Sequence, residues 1–150
     1  MDASPDRLSE IADKLRVRAS GVLDAIDDCL AEELVVWHSF DNREQRIRGS
    51  LRAAHSRAKL AAFHRAMPGF TRTITVVECP ATRTVIELAG WTGTMRDVPA
   101  IPGGTGVSVD FKSVTIYTVA EDMITRIDIF DDPASSRAMA ELTAFGGMTV

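Results

Sequence analysis

The chain has few of the residues that carry metal, redox or phosphate chemistry. Cys29 and Cys79 are its only cysteines, and His38, His55 and His64 its only histidines. The two thiols match no metal-binding or redox spacing and read as free, buried groups in a reducing cytoplasm. His55 and His64 fall on opposite sides of any helix that carries both, and no His-Glu-x-x-His or His-x-x-x-His spacing exists. No metal is expected. Gly103-Gly104-Thr105-Gly106 lacks the Lys-Ser/Thr ending of a phosphate loop and precedes a strand, so it reads as a hairpin or pocket-rim loop. No Ser or Cys stands in a nucleophile elbow. No cofactor is expected.

Positive charge is also scarce. Lys and Arg number 17 against 21 Asp and Glu, a net charge of -4, which argues against nucleic acid because duplex binding needs cations to replace phosphate counterions. Arg43, Arg46, Arg48, Arg52, Arg57, Lys59 and Arg65 form a local basic excess. If residues 51 to 65 are helical, Arg52 and Lys59 share a side while Arg57 and Arg65 point elsewhere, which makes a solvated surface and not a stripe. No apolar run approaches the ~18 residues that cross a bilayer. The opening Met1-Asp2-Ala3-Ser4-Pro5-Asp6 is acidic and has no apolar signal-peptide segment. A cytoplasmic location away from membranes follows as an expectation.

Hydrophobic residues, 45% of 150, suit one domain that buries about 70% of its unfolded surface. Ser4-Pro5 is a good helix opening, and Leu8, Ile11, Ala12, Leu15 and Ala19 recur at helical spacing. The pattern resumes with Val22, Leu23, Ile26, Cys29 and Leu30, which extends the helical region to Glu32-Glu33. Leu34-Val35-Val36-Trp37-His38 reads as a strand, the polar stretch from Asp41 to Gly49 as a loop, and Ser50 as the cap of a helix ending before Pro68-Gly69.

Strand signals then dominate: Phe70 to Glu78, Thr84 to Thr94, Val107 to Val119 and Met123 to Asp131, the last two joined by a tight turn at Glu121-Asp122. In the third of these, Val109, Phe111, Ser113, Thr115 and Tyr117 share one side, taken as the pocket side. Val114 and Ile116 make the other side partly apolar, as a dimer contact would. Asp132-Pro133 caps a final helix bearing Ala138, Met139, Leu142 and Phe145. Strands grouped after helices predict an α+β fold with a largely antiparallel sheet.

Several ordered segments resemble the SnoaL-like branch of the nuclear-transport-factor-2-like superfamily. They are Glu33-Leu34-Val35-Val36-Trp37-His38-Ser39, Met67-Pro68-Gly69-Phe70, Gly90-Trp91-Thr92-Gly93-Thr94, Thr105-Gly106-Val107-Ser108-Val109 and the run from Ile124 to Pro133. The resemblance implies a cone-shaped α+β barrel, with a curved mixed or antiparallel sheet wrapped around N-terminal helices. It further implies a deep apolar pocket for a small hydrophobic molecule, and commonly a homodimer packed through the sheet's outer face. Polyketide cyclases, ketosteroid isomerases, dehydratases, epoxide hydrolases and non-catalytic members share this fold, so function has to be argued from the site.

His38 lies near where isomerase-like relatives carry a carboxylate base, and an imidazole can move protons at neutral pH. Trp37 cannot share its direction, so one of the two points away from the pocket. Asp128 and Asp131 come from the last strand, where SnoaL-like cyclases and hydrolases place an essential aspartate. Here the resemblance aligns Ile129 with it, and only a bulge would bring Asp128 there. Leu88 and Gly90 stand where an epoxide hydrolase-like Asp-Arg-Asp set would need its Arg and other Asp, which leaves that route without parts. Parity then puts Glu87 on the outer face. Tyr117, the only tyrosine, can donate to a developing enolate oxygen.

The expected catalytic set is therefore His38, Asp128 and Tyr117, and Trp37, Phe63, Leu88, Phe111, Thr115 and Ile129 are expected to contact substrate. The predicted activity is cofactor-independent proton transfer on a cyclic or polyketide-like molecule. The alternative is a non-catalytic ligand-binding or dimerisation module.

Overall fold

The computed structural model describes residues 5–39, 42–54, 57, 71–95 and 107–131. Helix α1 spans Pro5–Ala19. Leu8, Ile11, Ala12 and Leu15 form its buried stripe, the one-sided pattern that makes a helix pack. Asp6 in its first turn and Arg16 and Arg18 in its last complement the helix dipole. The helix stops at Ser20-Gly21, where Ser20 N–H turns back onto the Arg16 and Val17 carbonyls. Gly21 has a φ of 120°, a region closed to residues with a Cβ.

The helical region expected up to Glu33 is thus shorter. Ile26 and Cys29 are buried, but from turns and a 3-10 segment, Asp27–Cys29. Strand β1 already starts at Leu30 and runs to His38.

The stretch expected as a loop contains strand β2, Arg43–Arg48. Its sequence is nearly all polar because it is an edge strand with only Ile47 buried. Arg46 and Arg48 reach across to Glu33 on β1. Residues 51–54 are helical. The rest of the helix expected there and the terminal helix after Pro133 lie outside the described residues.

Strands β3 (Thr71–Cys79), β4 (Thr84–Met95), β5 (Val107–Ala120) and β6 (Met123–Asp131) follow. The β3–β4 link is a 3-10 turn at Pro80–Thr82, closed by Arg83 in the left-handed region. Glu121 and Asp122 both have positive φ, as the tightest hairpin turns require.

The sheet order is β2-β1-β6-β5-β4-β3. All neighbours are antiparallel except β1 and β6, which run parallel. This curved, mixed sheet with helices on one side is the expected α+β cone. Helix α1 packs across β3 and β4. The core lies between them, with Leu34, Val36, Val85, Tyr117, Val119, Ile124 and Ile127 from the sheet meeting the stripe of α1.

Candidate functional site

Period-two alternation gives the sheet a helix-facing side and an outer side. Register then aligns side chains in rows across the strands. One row on the helix-facing side runs His38, Ile129, Thr115, Glu87 and Val76. The next row toward the end of β6 brings Asp131, Ser113, Ala89 and Ile74 together, and beyond it Trp91 stands beside Arg72.

These rows are unusually polar for a buried surface. His38, Glu87, Ser113 and Thr115 are all buried. His38 Nε2 lies 3.2 Å from Asp131 Oδ2, and both side chains are almost completely enclosed, at 3% and 2% exposure. Ser39 fixes this geometry: its N–H donates to the Ile129 carbonyl and its hydroxyl accepts from the Asp131 N–H. The end of β1 is thereby clamped to the end of β6.

An ion pair stands on the same side. Arg72 Nη2 donates to Glu87 Oε1 at 2.8 Å, and the Arg72 guanidinium carbon is 4.3 Å from the centroid of the Trp91 ring. Burial pushes the Arg72 guanidinium below its ordinary value, against the pull of the Glu87 charge. Arg18 Nη1 donates to Tyr117 Oη at 3.3 Å. Burial drives the Tyr117 phenol well above its ordinary value, and the neighbouring Glu87 charge adds to the shift.

Of the expected site residues, His38, Tyr117, Thr115 and Ile129 are on this side. Three others are corrected. Trp37 points outward, where its ring centroid is 5.1 Å from that of Phe130 and its indole N–H donates to Asn42. Asp128 is also outward, held by Arg126, which reaches on to Glu44. No bulge brings it inward, because β1 and β6 stay in register from Val35 to His38. Leu88 is 44% exposed on the outer side. It also lines an open groove of about 560 Å³ whose wall takes residues of both strand parities, Thr73, Lys112 and Phe130 as well as Ala89, Ser113 and Asp131.

Glu87, expected outside, is inside. Strand β4 carries apolar residues on both sides, Val85, Ala89 and Trp91 within and Ile86 and Leu88 without, so hydrophobicity does not distinguish the two. Among the described residues, Arg72 is the partner that makes a buried carboxylate tolerable here. Phe63 and the Phe111 side chain lie outside the described residues.

Asp131 was named with Asp128 as a last-strand acid but not placed in the expected site, and Arg72 and Arg18 were not singled out in the sequence. Asp131 was within reach, since it has the same strand parity as Ile127 and Ile129. Arg72 follows only once β3 is registered against β4. Among the described residues, no three His, Cys, Asp or Glu side chains are grouped as a metal site.

A family model described as the SnoaL-like domain matches residues 13–127. The chain belongs to this family. No curated protein matches it. Among solved structures, it resembles a protein designated a SnoaL-like polyketide cyclase from Jannaschia sp., at 21% identity over 99% of both chains with a TM-score of 0.60. A nuclear-transport-factor-2-like protein from Burkholderia thailandensis aligns at 15% identity over 89% of this chain and 96% of the other, with a TM-score of 0.64. A protein designated a polyketide cyclase from Acidithiobacillus ferrooxidans aligns at 17% identity over 91% and 96%, with a TM-score of 0.60. At these identities the SnoaL-like chain shares a fold with them.

Proposed function

We propose that the SnoaL-like domain binds a hydrophobic cyclic or polyketide-like molecule against the helix-facing side of the sheet and transfers protons on it without a cofactor. Cyclisation, isomerisation and dehydration all begin with such a step. The observation that carries this reading is the enclosed His38–Asp131 pair, 3.2 Å between Nε2 and Oδ2. His38 is the base that takes a proton from carbon and the acid that returns it. Asp131 orients the ring and stabilises the imidazolium formed midway, the work a carboxylate does for a catalytic histidine. The polyketide cyclase designation of two structural relatives agrees with this chemistry.

We further propose that two copies pair through the outer side of the sheet. Val77, Leu88 and Phe130 are the large apolar residues exposed there, on strands β3, β4 and β6, and a contiguous apolar patch of this kind calls for a partner. A second copy presents the same patch, and isologous pairing covers both at once.

The proton-transfer reading is tested with 2-tetralone, a bicyclic ketone with acidic α-hydrogens, in deuterated buffer. Exchange of those hydrogens followed by NMR is expected to accelerate with the protein and to fall about tenfold or more in His38→Gln, the scale of a lost general base. A loss under about threefold ends the assignment of His38.

A further inference from the structure

The Arg72–Glu87 pair leaves most of its hydrogen-bonding capacity unused. The single contact at 2.8 Å joins side chains only 6% and 4% exposed. Arg72 Nε and Nη1, and Glu87 Oε2, are buried and have no hydrogen-bond partner among the described residues. A guanidinium in a protein interior ordinarily finds acceptors for its N–H groups, because stripping a charged donor of water without replacing that water is costly. Three idle polar atoms, two donating nitrogens and one accepting oxygen, therefore stand together on the side of the sheet that also carries His38.

Geometry limits what can meet them. The Trp91 ring covers one face of the guanidinium, so an incoming group approaches in the guanidinium plane, along the N–H bonds. Planar oxyanions fit this approach best, and charge-assisted bonds of this kind are the strong ones. Arg18 brings a second positive charge to the same cluster, since its charge acts on both Arg72 and Tyr117. The carboxylate of Glu87 has one oxygen committed to Arg72 and the other able to accept from a hydroxyl.

We infer that Arg72 is the anchor for a carboxylate on the ligand and that Glu87 Oε2 takes a hydroxyl hydrogen from the same molecule. The ligand class is then an aromatic or polycyclic hydroxy acid. Its anchored end lies at the Trp91 row and its body extends over Ala89 and Ser113 toward His38. This inference rests on the reading that a small molecule occupies the helix-facing side of the sheet.

The test measures binding of 1-hydroxy-2-naphthoic acid, its methyl ester and 1-naphthol to the full chain by calorimetry near neutral pH. The acid is expected to bind about tenfold tighter than the ester, a step in affinity that one charge-assisted contact supplies. In Arg72→Met the preference should shrink to about twofold or less while ester affinity is retained. Should that variant not fold, Glu87→Gln gives an independent reading. It removes a negative charge beside the guanidinium and is expected to raise the acid-over-ester ratio by about threefold or more.

Equal binding of acid and ester by the unmodified protein overturns the anchor and leaves the small-molecule site standing. An acid preference that survives Arg72→Met, or that falls in Glu87→Gln, overturns it in the same way. Failure of all three compounds to bind overturns the small-molecule site and the anchor together.

Discussion

Trp37 and His38 are consecutive on β1 and leave it in opposite directions. His38 is 3% exposed on the helix-facing side, while Trp37 packs its ring 5.1 Å from that of Phe130 on the outer side. Chemistry and association are thus assigned to the two sides of one sheet, and the assignments are tested separately.

Substitutions on the outer side should act on assembly and leave proton transfer alone. Trp37→Ala is expected to keep the 2-tetralone exchange rate within about twofold, since a residue remote from the reacting atoms changes little of the barrier. Phe130→Asp places a charge in the apolar patch and is expected to convert a dimer to a monomer in sedimentation velocity. A monomeric unmodified protein contradicts the paired-copy reading.

Asp128 gives a second separation. Arg126 holds it at 2.9 Å, and the two side chains are 38% and 18% exposed. Partly exposed pairs are worth about 0–1 kcal/mol. Asp128→Asn is therefore expected to lower stability by no more than about 1 kcal/mol in urea unfolding and to leave exchange within about twofold. A tenfold drop in rate would mean that the last-strand acid is Asp128 and not Asp131.

These two residues mark the limit of what the sequence made legible. Family, fold class and the four long strands from residue 71 onward were readable, because turn signals and β-branched runs are local features. Which side of β1 faced the helix was not. Trp37 and His38 are both plausible pocket residues, and a one-residue change of side inverts the whole strand. Glu87 was misplaced for a related reason: apolar residues flank it in both directions, and its buried partner, Arg72, arrives from β3 through pairing that sequence alone does not register. β2 was missed because edge strands are deliberately polar. Asp131 needed only the parity of its own strand.

The single tyrosine offers a spectroscopic check on the interior. Burial raises the Tyr117 phenol above its ordinary value, so the native state holds the proton more tightly than the unfolded chain. The stability this contributes is intact below the unfolded value of about 10 and is lost as pH rises through the higher folded value. Tyrosinate absorbance is expected to be absent from the native protein at about pH 10.5 and to be present in the urea-unfolded chain at the same pH. Native titration with a midpoint near 10 would place Tyr117 in water.

The central claim is that His38 and Asp131 act as one unit, and a double-mutant cycle on 2-tetralone exchange measures it most directly. His38→Gln and Asp131→Asn are each expected to cost about tenfold or more, and the double variant should be about as slow as His38→Gln alone, because the carboxylate works only through the imidazole. Losses that multiply in the double variant, or an Asp131→Asn rate within about threefold of the unmodified protein, contradict the account.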